Sequence, residues 1–324
     1  MKKANLGLVK TINYNLIWDY FLKNNLSTIP TISEKIGLSL PTVTRAIDFA
    51  VEIGMVNVDE IADSTGGRKA RQYSLNPQYT HFLLLILDNE KLHFEIRDFV
   101  GKVVKKGETQ VKYANILEDF ERVISELKSE YNKISSVSIS IGGVIDNGVI
   151  LDCYKLRHLN GFNLKRHLEN LFKIDVIVEN NLKALAKSSQ KYDDDYKEKI
   201  IISSAFGHSG YGFGFLINGN VLRGAKSAAG EITYAPASKS LINQPQDYYE
   251  FRLQTVITVF NPDTIILYCG DKAIDFRKAI TDVSAFLPSY MMPKFVVAKS
   301  FTRDSFDGLN ELCIELVKNK IYNK

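Results

Sequence analysis

Cysteine is scarce in this chain of 324 residues, and the positions of the cysteines exclude two classes of protein. The three cysteines, Cys153, Cys269 and Cys313, are far apart, and none belongs to a CxxC pair. A disulfide framework needs an even set of paired cysteines, and a cysteine-rich zinc site needs closely spaced ones. The pattern therefore argues against both and is typical of a protein from the reducing cytoplasm.

Long apolar runs are also missing. The most apolar stretch covers residues 82–87, which is far shorter than the roughly 20 residues that a membrane-spanning helix needs. Lys2 and Lys3 stand near the N-terminus, but no apolar segment of a secretory signal follows them. We therefore expect a soluble cytoplasmic protein that has no membrane partner.

Neither sign of charge dominates. The chain has 41 Lys and Arg against 37 Asp and Glu, a formal net charge of +4 and a pI of about 8.7. This balance does not identify a partner, because a nucleic-acid binder can confine its basic patch to one small domain. Hydrophobic residues make up 45% of the chain, enough for packed cores, and the length suggests two or three domains.

The segment 31–54 has the pattern of two short helices joined by a turn. Thr31 and Glu34 have the spacing of a capping box at a helix start, and Gly37 is placed to end that helix. Ser39 is a suitable N-cap for a second helix, and Pro41 fits its first turn because the proline nitrogen needs no hydrogen-bond partner there. This arrangement predicts a helix-turn-helix.

The N-terminal residues of the second helix are the candidate DNA readers. In a helix-turn-helix the second helix enters the major groove, where hydroxyls and guanidinium groups reach phosphates and base edges. The residues expected to do so are Ser39, Leu40, Thr42, Thr44 and Arg45. The alternative is a plain helical hairpin with Arg45 as a solvated surface residue.

A wing follows the two helices in the sequence. Two strand-like runs, at 55–58 and 70–75, flank a polar loop that ends in Gly66, Gly67, Arg68 and Lys69. Arg68, Lys69 and Arg71 suit a phosphate backbone or a minor groove. Together with the helix pair, this wing favours DNA binding by residues 1–77.

From residue 81 onward the pattern changes to buried strands that alternate with helices, which predicts an α/β domain over 78–324. Several segments of this part resemble, in order, motifs of the ROK (repressor, open reading frame, kinase) family. Residues 138–146 resemble its G-x-G-x-P-G-x-V-D motif, 178–184 its V-E-N-D-A-N-A motif, 208–214 its G-T-G-I-G-x-G motif, 223–232 its R-G-x-x-G-x-A-G-E-I motif and 261–266 its N-P-x-x-I-V motif.

The resemblance covers nearly the whole chain, since the 66–68 loop also resembles the wing of the family's regulators. It implies an α/β fold in which a winged helix-turn-helix precedes an actin-like, two-lobed domain of the sugar kinase and ribonuclease H type. It also implies a regulator similar to the family's xylose- and N-acetylglucosamine-type repressors, which acts as a homodimer or higher oligomer on double-stranded operator DNA.

Departures from the family's motifs argue against kinase chemistry. Asn181 stands where the kinases have the Asp that takes the proton from the sugar hydroxyl, and a carboxamide cannot act as a general base. The region that matches the first phosphate loop, 87–92, has no glycine, and Glu90 would repel a phosphate. His208 replaces the first glycine of the second loop. We therefore expect no enzyme activity, and residual kinase activity remains the alternative.

The family's zinc site is lost as well. Tyr234 replaces the ligand histidine, and residues 232–260 contain neither Cys nor His. A structural zinc site needs four nitrogen or sulfur ligands, so we expect neither a metal nor another cofactor.

The resemblance implies that a sugar or polyol effector binds between the lobes. The candidate contacts are Gly142, Gly143, Asn180, Asn181 and Glu231, with Gly143 leaving room for a sugar ring. A purely structural alternative stays open for two of these residues: Asn180 only caps the next helix, and Glu231 is a surface residue. If no effector binds, the second domain only dimerises.

Three further residue types receive ordinary structural interpretations. Lys183 stands where the family has Asn and is expected to be a solvated charge. Trp18, the only tryptophan, is expected in the core, and His158 and His167 on the surface.

Overall fold

The computed structural model describes residues 6–24, 26–60, 71–207, 210–269 and 274–322. Its N-terminal unit consists of three helices and an antiparallel hairpin. These elements are α1 (Leu6–Lys23), α2 (Ile29–Ile36), α3 (Leu40–Glu52), β1 (Val56–Glu60) and β2 (Arg71–Leu75). The tip of the hairpin, with Arg68 and Lys69, lies outside the described residues.

The start of α2 differs from the sequence prediction. The helix begins at Ile29, and Thr28 is its N-cap, since Thr28 Oγ1 accepts a hydrogen bond from the Thr31 backbone at 3.3 Å. The capping-box prediction at Thr31 was wrong because Pro30 fits the first turn and lets the helix begin three residues earlier, at Ile29 instead of Ile32. Gly37 ends α2 in the left-handed region with φ 69°, and Ser39 is the N-cap position of α3, both as predicted.

The apolar core of the N-terminal unit is continuous with the second domain. Trp18 is 4% exposed, which confirms its core assignment, and its ring lies 5.5 Å from that of Phe99. Ile32, Val43 and Ile47 are fully buried in the same cluster, which lets α2 brace α3. The division of the chain at residue 77 stays a prediction, because this cluster crosses it.

Lobe 1 of the second domain is built on a five-stranded sheet with the order β5-β4-β3-β6-β9. Strand β3 is antiparallel to β4 and parallel to β6. The elements of lobe 1 are β3 (His81–Asp88), β4 (Lys91–Asp98), β5 (Val103–Gln110), α4 (Ile116–Glu130), β6 (Ile134–Ile141), β7 (Val144–Asp146), β8 (Val149–Asp152), α5 (Leu164–Phe172) and β9 (Asp175–Asn180).

Lobe 2 repeats the same topology with the order β12-β11-β10-β13-β14. In both sheets the first strand lies in the middle, between its antiparallel hairpin partner and a parallel neighbour. Lobe 2 and the two helices between the lobes comprise α6 (Asn181–Ser188), β10 (Ile200–Gly207), β11 (Gly210–Ile217), β12 (Asn220–Val221), α7 (Lys239–Ile242), α8 (Pro245–Phe260), β13 (Thr264–Cys269), α9 (Phe276–Phe286), β14 (Lys294–Val297) and α10 (Phe301–Tyr322).

The repeated sheets confirm the two-lobed, actin-like architecture that the sequence predicted. Helix α6 packs on β10 and β11 of lobe 2, whereas α10 returns to pack on β3 and β6 of lobe 1. The two helices cross closely, since a Cβ atom at Gly308 would overlap the carbonyl oxygen of Ala184. Within the described ranges, no helix has the length and apolarity to cross a membrane.

Candidate functional site

A cleft of about 590 Å³ lies between the two lobes. Its lining comes from β3, β6 and the 152–156 segment of lobe 1 and from β11, β13 and the 231–234 segment of lobe 2. All the residues that the sequence assigned to ligand binding border it: Gly142, Gly143, Asn180, Asn181 and Glu231. The fold therefore brings the candidate contacts together, while their role in binding stays a prediction.

Asn180 holds the cleft's backbone in place. Its Oδ1 accepts hydrogen bonds from the amides of Leu182 at 2.8 Å and Lys183 at 3.3 Å, which caps helix α6. Its Nδ2 donates to the carbonyl oxygen of Gly143 at 2.6 Å, and the residue is 2% exposed. The helix-cap interpretation is confirmed, so any ligand contact of Asn180 adds to a structural role.

Asn181, next to this cap, is half-buried and borders the cleft. Its Oδ1 accepts from the amide of Leu182 at 2.9 Å. A carboxamide at this point offers hydrogen bonds to a hydroxyl but cannot take its proton. The position can therefore orient a polyol without activating it as a nucleophile.

The two glycines after β6 have different reasons to be glycine. Gly143 has φ 105°, and a Cβ atom there would overlap the carbonyl oxygen of Asp152. The expectation that Gly143 leaves room for a ring was therefore wrong, because the backbone and the neighbouring strand fill that space. A Cβ atom at Gly142 would meet nothing within 4 Å, so Gly142 is the glycine that leaves open space in the cleft.

Lys183 is a buried cation beside the cleft. The expectation of a solvated charge was wrong, since the residue is 2% exposed and lies near Glu179 and Glu231. Burial lowers the pKa of its ammonium group, although the charges of these carboxylates oppose that shift. Burial likewise raises the pKa of Glu231, and Lys183 opposes it. Glu231 is therefore a partly buried carboxylate of the cleft and not a plain surface residue.

Three carboxylates of lobe 1 are bound by the 223–234 segment of lobe 2. Arg223 forms an ion pair with Glu179, whose side chain is 4% exposed. Ser227 donates to Asp146 at 2.9 Å, and Tyr234 donates to Asp152 at 2.8 Å. These three contacts join the two lobes and oppose their separation, and the Tyr234–Asp152 pair lies in the lining of the cleft.

The turn that matches the family's first phosphate loop is closed to a phosphate. Asn89 and Glu90 both adopt positive φ, 48° and 58°, in the tight turn between β3 and β4. The amide of Glu90 donates to the Tyr113 hydroxyl at 3.2 Å, and its carboxylate accepts from the Tyr113 amide at 3.2 Å. An anion would have to displace these bonds and face the charge of Glu90.

Close packing against α6 explains why Gly212 and Gly214 of the second phosphate motif are glycines. A Cβ atom at Gly212 would overlap the Leu182 side chain, and one at Gly214 would overlap the Leu182 carbonyl oxygen. These glycines let β11 approach α6, so their retention carries no implication for nucleotide binding. His208 lies outside the described residues.

The candidate DNA readers lie on the first turns of α3 and beside the hairpin. Ser39, Leu40 and Arg45 are exposed, and Thr42 and Thr44 are half-buried. The Ser39 and Thr42 hydroxyls lie 2.9 Å apart, and Arg45 Nε donates to the Pro41 carbonyl oxygen at 3.1 Å. Arg71 is exposed at the start of β2.

Other assigned residues lie as follows. His158 is exposed and His167 is half-buried against Glu121, 2.6 Å away. Across the described ranges, no three His, Cys, Asp or Glu side chains are grouped to hold a metal ion. Tyr234 is 72% exposed.

The sequence missed part of the cleft lining. Tyr154, Lys155, Tyr268, Phe301 and Thr302 all border the cleft. They belong to the short 3-10 helix Tyr154–Leu159 after β8 and to the ends of β13 and α10. No local motif marks them, because only the return of α10 to lobe 1 places Phe301 and Thr302 at the cleft.

Relatives with similar sequences include proteins named as repressors. A xylose repressor of Caldicellulosiruptor bescii is 26% identical over 239 residues, which cover 71% of this chain and 59% of that protein. The Escherichia coli DNA-binding transcriptional dual regulator NagC is 23% identical over 248 residues, covering 71% and 58%. The chain thus spans about three fifths of the length of the curated relatives that it matches.

Solved structures with the same fold include a regulator and several kinases. A ROK family transcriptional regulator, described as a homologue of the E. coli MLC protein, superposes with a TM-score of 0.75 at 15% identity over 97% of both chains. A ROK hexokinase from Thermus thermophilus gives 0.58 at 16% identity, over 74% of this chain and 100% of the hexokinase. The model of the ROK family matches residues 89–273, more than half of the chain, and the chain therefore belongs to the ROK family.

Proposed function

We propose that this protein is a sequence-specific, DNA-binding transcriptional regulator of carbohydrate use that acts as a repressor. The observation that carries the proposal is the exposed N-terminal face of α3, around Ser39, Leu40 and Arg45, in a braced helix pair followed by a β-hairpin. Such a helix presents its first turns to base edges in the major groove. The names of the relatives support a repressor.

The effector is an unphosphorylated sugar or polyol that binds in the interlobe cleft. Asn181 and Glu231 supply polar groups for hydroxyls, and Gly142 supplies open space. The closed turn at Asn89 and Glu90 disfavours a phosphorylated ligand. Because a ligand shifts only an equilibrium in which it prefers one state, the sugar must bind the DNA-free arrangement better.

The regulator binds operator DNA as a homodimer, without a metal or another cofactor. Two recognition helices that read adjacent major grooves lie about 34 Å apart on the duplex. A small change in the angle between two copies therefore breaks simultaneous contact with both half-sites. Sedimentation of the full chain with and without operator DNA tests this, and a monomer on DNA would contradict it.

The protein does not phosphorylate its ligand. The position of the kinase base is occupied by Asn181, and phosphoryl transfer depends on placed charges and a phosphate cradle. Incubation with ATP, Mg²⁺ and a hexose and pentose panel is expected to yield no ADP above the no-sugar control. Sugar-dependent ADP formation would restore the alternative of a residual kinase.

Selection of duplexes from a random pool tests the main proposal. We expect enrichment of an inverted repeat, which then binds the protein in gel-shift titrations. D-Xylose and N-acetylglucosamine are the first effectors to test by calorimetry, with and without that duplex. If no sequence is enriched, the DNA-binding proposal fails. If DNA binds and no sugar of a broad panel does, the second domain serves dimerisation alone.

A further inference from the structure

Asp19 lies on α1 of the N-terminal unit, the proposed DNA-binding unit, and is held by two lysines from different parts of the second domain. Its Oδ1 accepts from Lys318 Nζ at 2.5 Å, and its Oδ2 accepts from Lys197 Nζ at 2.8 Å. Burial works against the charged carboxylate, but the charges and hydrogen bonds of the two lysines outweigh it and lower the pKa of Asp19. Asp19 therefore stays ionised at neutral pH and joins α1 to the second domain through two lysines.

The two lysines belong to different lobes. Lys318 lies on α10, which packs on the lobe 1 sheet, and its side chain is 13% exposed. Trp18, the neighbour of Asp19, also packs on lobe 1 through Phe99. Lys197 lies in the turn that leads into β10 of lobe 2, and its side chain is 57% exposed. The DNA-binding unit is thus fixed to lobe 1 by apolar packing and tied to lobe 2 through Lys197.

This asymmetry determines what a change in the angle between the lobes does to α1. The lobes meet at the crossing of α6 and α10, and the cleft lies on one side of that crossing. Because Lys197 directly precedes β10, a rotation of lobe 2 would move it relative to Asp19, whereas Trp18, Phe99 and Lys318 would stay together on lobe 1. An ion pair whose lysine is exposed to solvent, as Lys197 is, is weak enough to break and re-form with such a movement.

We propose that the Asp19–Lys197 ion pair is the contact through which closure or opening of the cleft changes the placement of the DNA-binding unit. Lys197 is a positioning residue that touches neither the DNA-reading face nor the cleft. The proposal rests on the proposed function for its physiological signal, a sugar in the cleft. The proposed link between the angle of the two lobes and the placement of α1 does not depend on which sugar binds.

The two lysines provide a matched pair of variants. Lys197→Met and Lys318→Met each remove one ammonium group from the same carboxylate and keep an apolar side chain of similar length. Both variants should bind the selected duplex and D-xylose, because neither residue belongs to those sites. In the parent and in Lys318→Met, saturating D-xylose should weaken duplex binding by about fivefold or more. In Lys197→Met this effect should shrink to less than about twofold. An undiminished effect in Lys197→Met, or equal losses in both variants, would overturn the proposal.

A second arm needs no ligand and separates failure of the link from failure of the effector hypothesis. The double change Ser227→Ala and Tyr234→Phe removes two hydrogen bonds between the lobes. In the parent background it should speed amide hydrogen exchange in residues 11–23 by about threefold, since Lys197 then leaves Asp19 more often. In the Lys197→Met background the double change should not speed this exchange further, whereas in the Lys318→Met background it should still speed it about threefold.

Additive acceleration in Lys197→Met would overturn the link even if D-xylose binds. If D-xylose does not bind the parent, the effector hypothesis fails for that sugar, and the exchange experiment still decides about the link. Circular dichroism and thermal melting of each variant confirm that the compared proteins are folded.

Discussion

The Tyr234 hydroxyl donates a hydrogen bond to Asp152 Oδ2 across 2.8 Å and thereby joins lobe 2 to lobe 1 at the mouth of the cleft. Both side chains are exposed to solvent, unlike the buried Glu179 that Arg223 binds nearby. The two contacts span the same gap but differ in burial, so their loss has different costs.

We expect Tyr234→Phe to lower the free energy of unfolding by less than about 1 kcal/mol, because water replaces an exposed hydrogen bond. Arg223→Gln should cost about 2 kcal/mol or more, because it removes the ion pair of the buried Glu179 carboxylate and leaves only Lys183 as a nearby cation. Urea unfolding of both variants measures the difference. Equal costs would show that burial does not distinguish these contacts.

The adjacent glycines Gly142 and Gly143 should respond oppositely to alanine. Gly143→Ala places a side chain at φ 105° against the Asp152 carbonyl oxygen, so we expect a loss of about 2 kcal/mol or more. Gly142→Ala meets open space and should change stability by less than about 1 kcal/mol. Thermal melting compares them directly, and a greater loss for Gly142→Ala would contradict the assignment of the open position.

The positive charge of the buried Lys183 should stabilise the ionised carboxylates around it. Lys183→Met removes the charge that opposes the raised pKa of Glu231, so the variant should be less stable at neutral pH. Adding Glu231→Gln to it removes the uncompensated carboxylate and should recover part of the loss. A double-mutant cycle with the two single variants measures this coupling. Strict additivity would show that the two groups do not interact.

The sequence was informative where the signal is local. The apolar run at 82–87 became β3, Gly37 ended α2 and Asn180 began α6, because strand burial and helix caps depend on neighbouring residues. The collinear motifs predicted the two-lobed fold and brought the candidate ligand residues to one cleft.

The failures concern tertiary context. Lys183 looked like a surface charge, since nothing in the sequence shows that the first turn of α6 is covered by lobe 2. Gly143 looked like a ligand-facing glycine, although the end of β8 is what excludes a side chain there. Phe301 gave no signal, because its place in the cleft depends on where α10 begins.

Stability should fall as the pH falls below about 6.5, the ordinary pKa of histidine, because of His81. This residue is 7% exposed, and both its ring nitrogens lack a hydrogen-bond partner within the described residues. Burial lowers the pKa of His81, Lys133 adds to the shift and Asp98 opposes it. The unfolded chain therefore binds the proton more readily than the folded one, and acid favours unfolding.

In urea titrations from pH 8 to pH 5, His81→Leu should reduce the slope of the unfolding free energy against pH by up to about 1.4 kcal/mol per unit. His158→Leu is the control, since His158 is exposed. The same reduction in both variants, or none in His81→Leu, would remove His81 as the source.

The recognition helix offers the most direct test of DNA reading, the variant Arg45→Ala. Arg45 is exposed near the start of α3, and only its Nε is engaged within the described part of the chain, by the Pro41 carbonyl oxygen. The guanidinium therefore retains donors that can reach a guanine edge or a phosphate. Loss of one such contact should weaken binding to the selected duplex by about 1–3 kcal/mol, or roughly five- to 150-fold.

Arg122→Ala is the matched control, because Arg122 is a half-exposed arginine on α4 of lobe 1, paired with Asp119. If Arg45 contacts a base, the loss should be larger on the selected duplex than on a scrambled one, whereas a phosphate contact should weaken both equally and reduce the salt dependence of binding. Unchanged affinity of Arg45→Ala on both duplexes, with melting like that of the parent, would mean that α3 is not the DNA-reading helix.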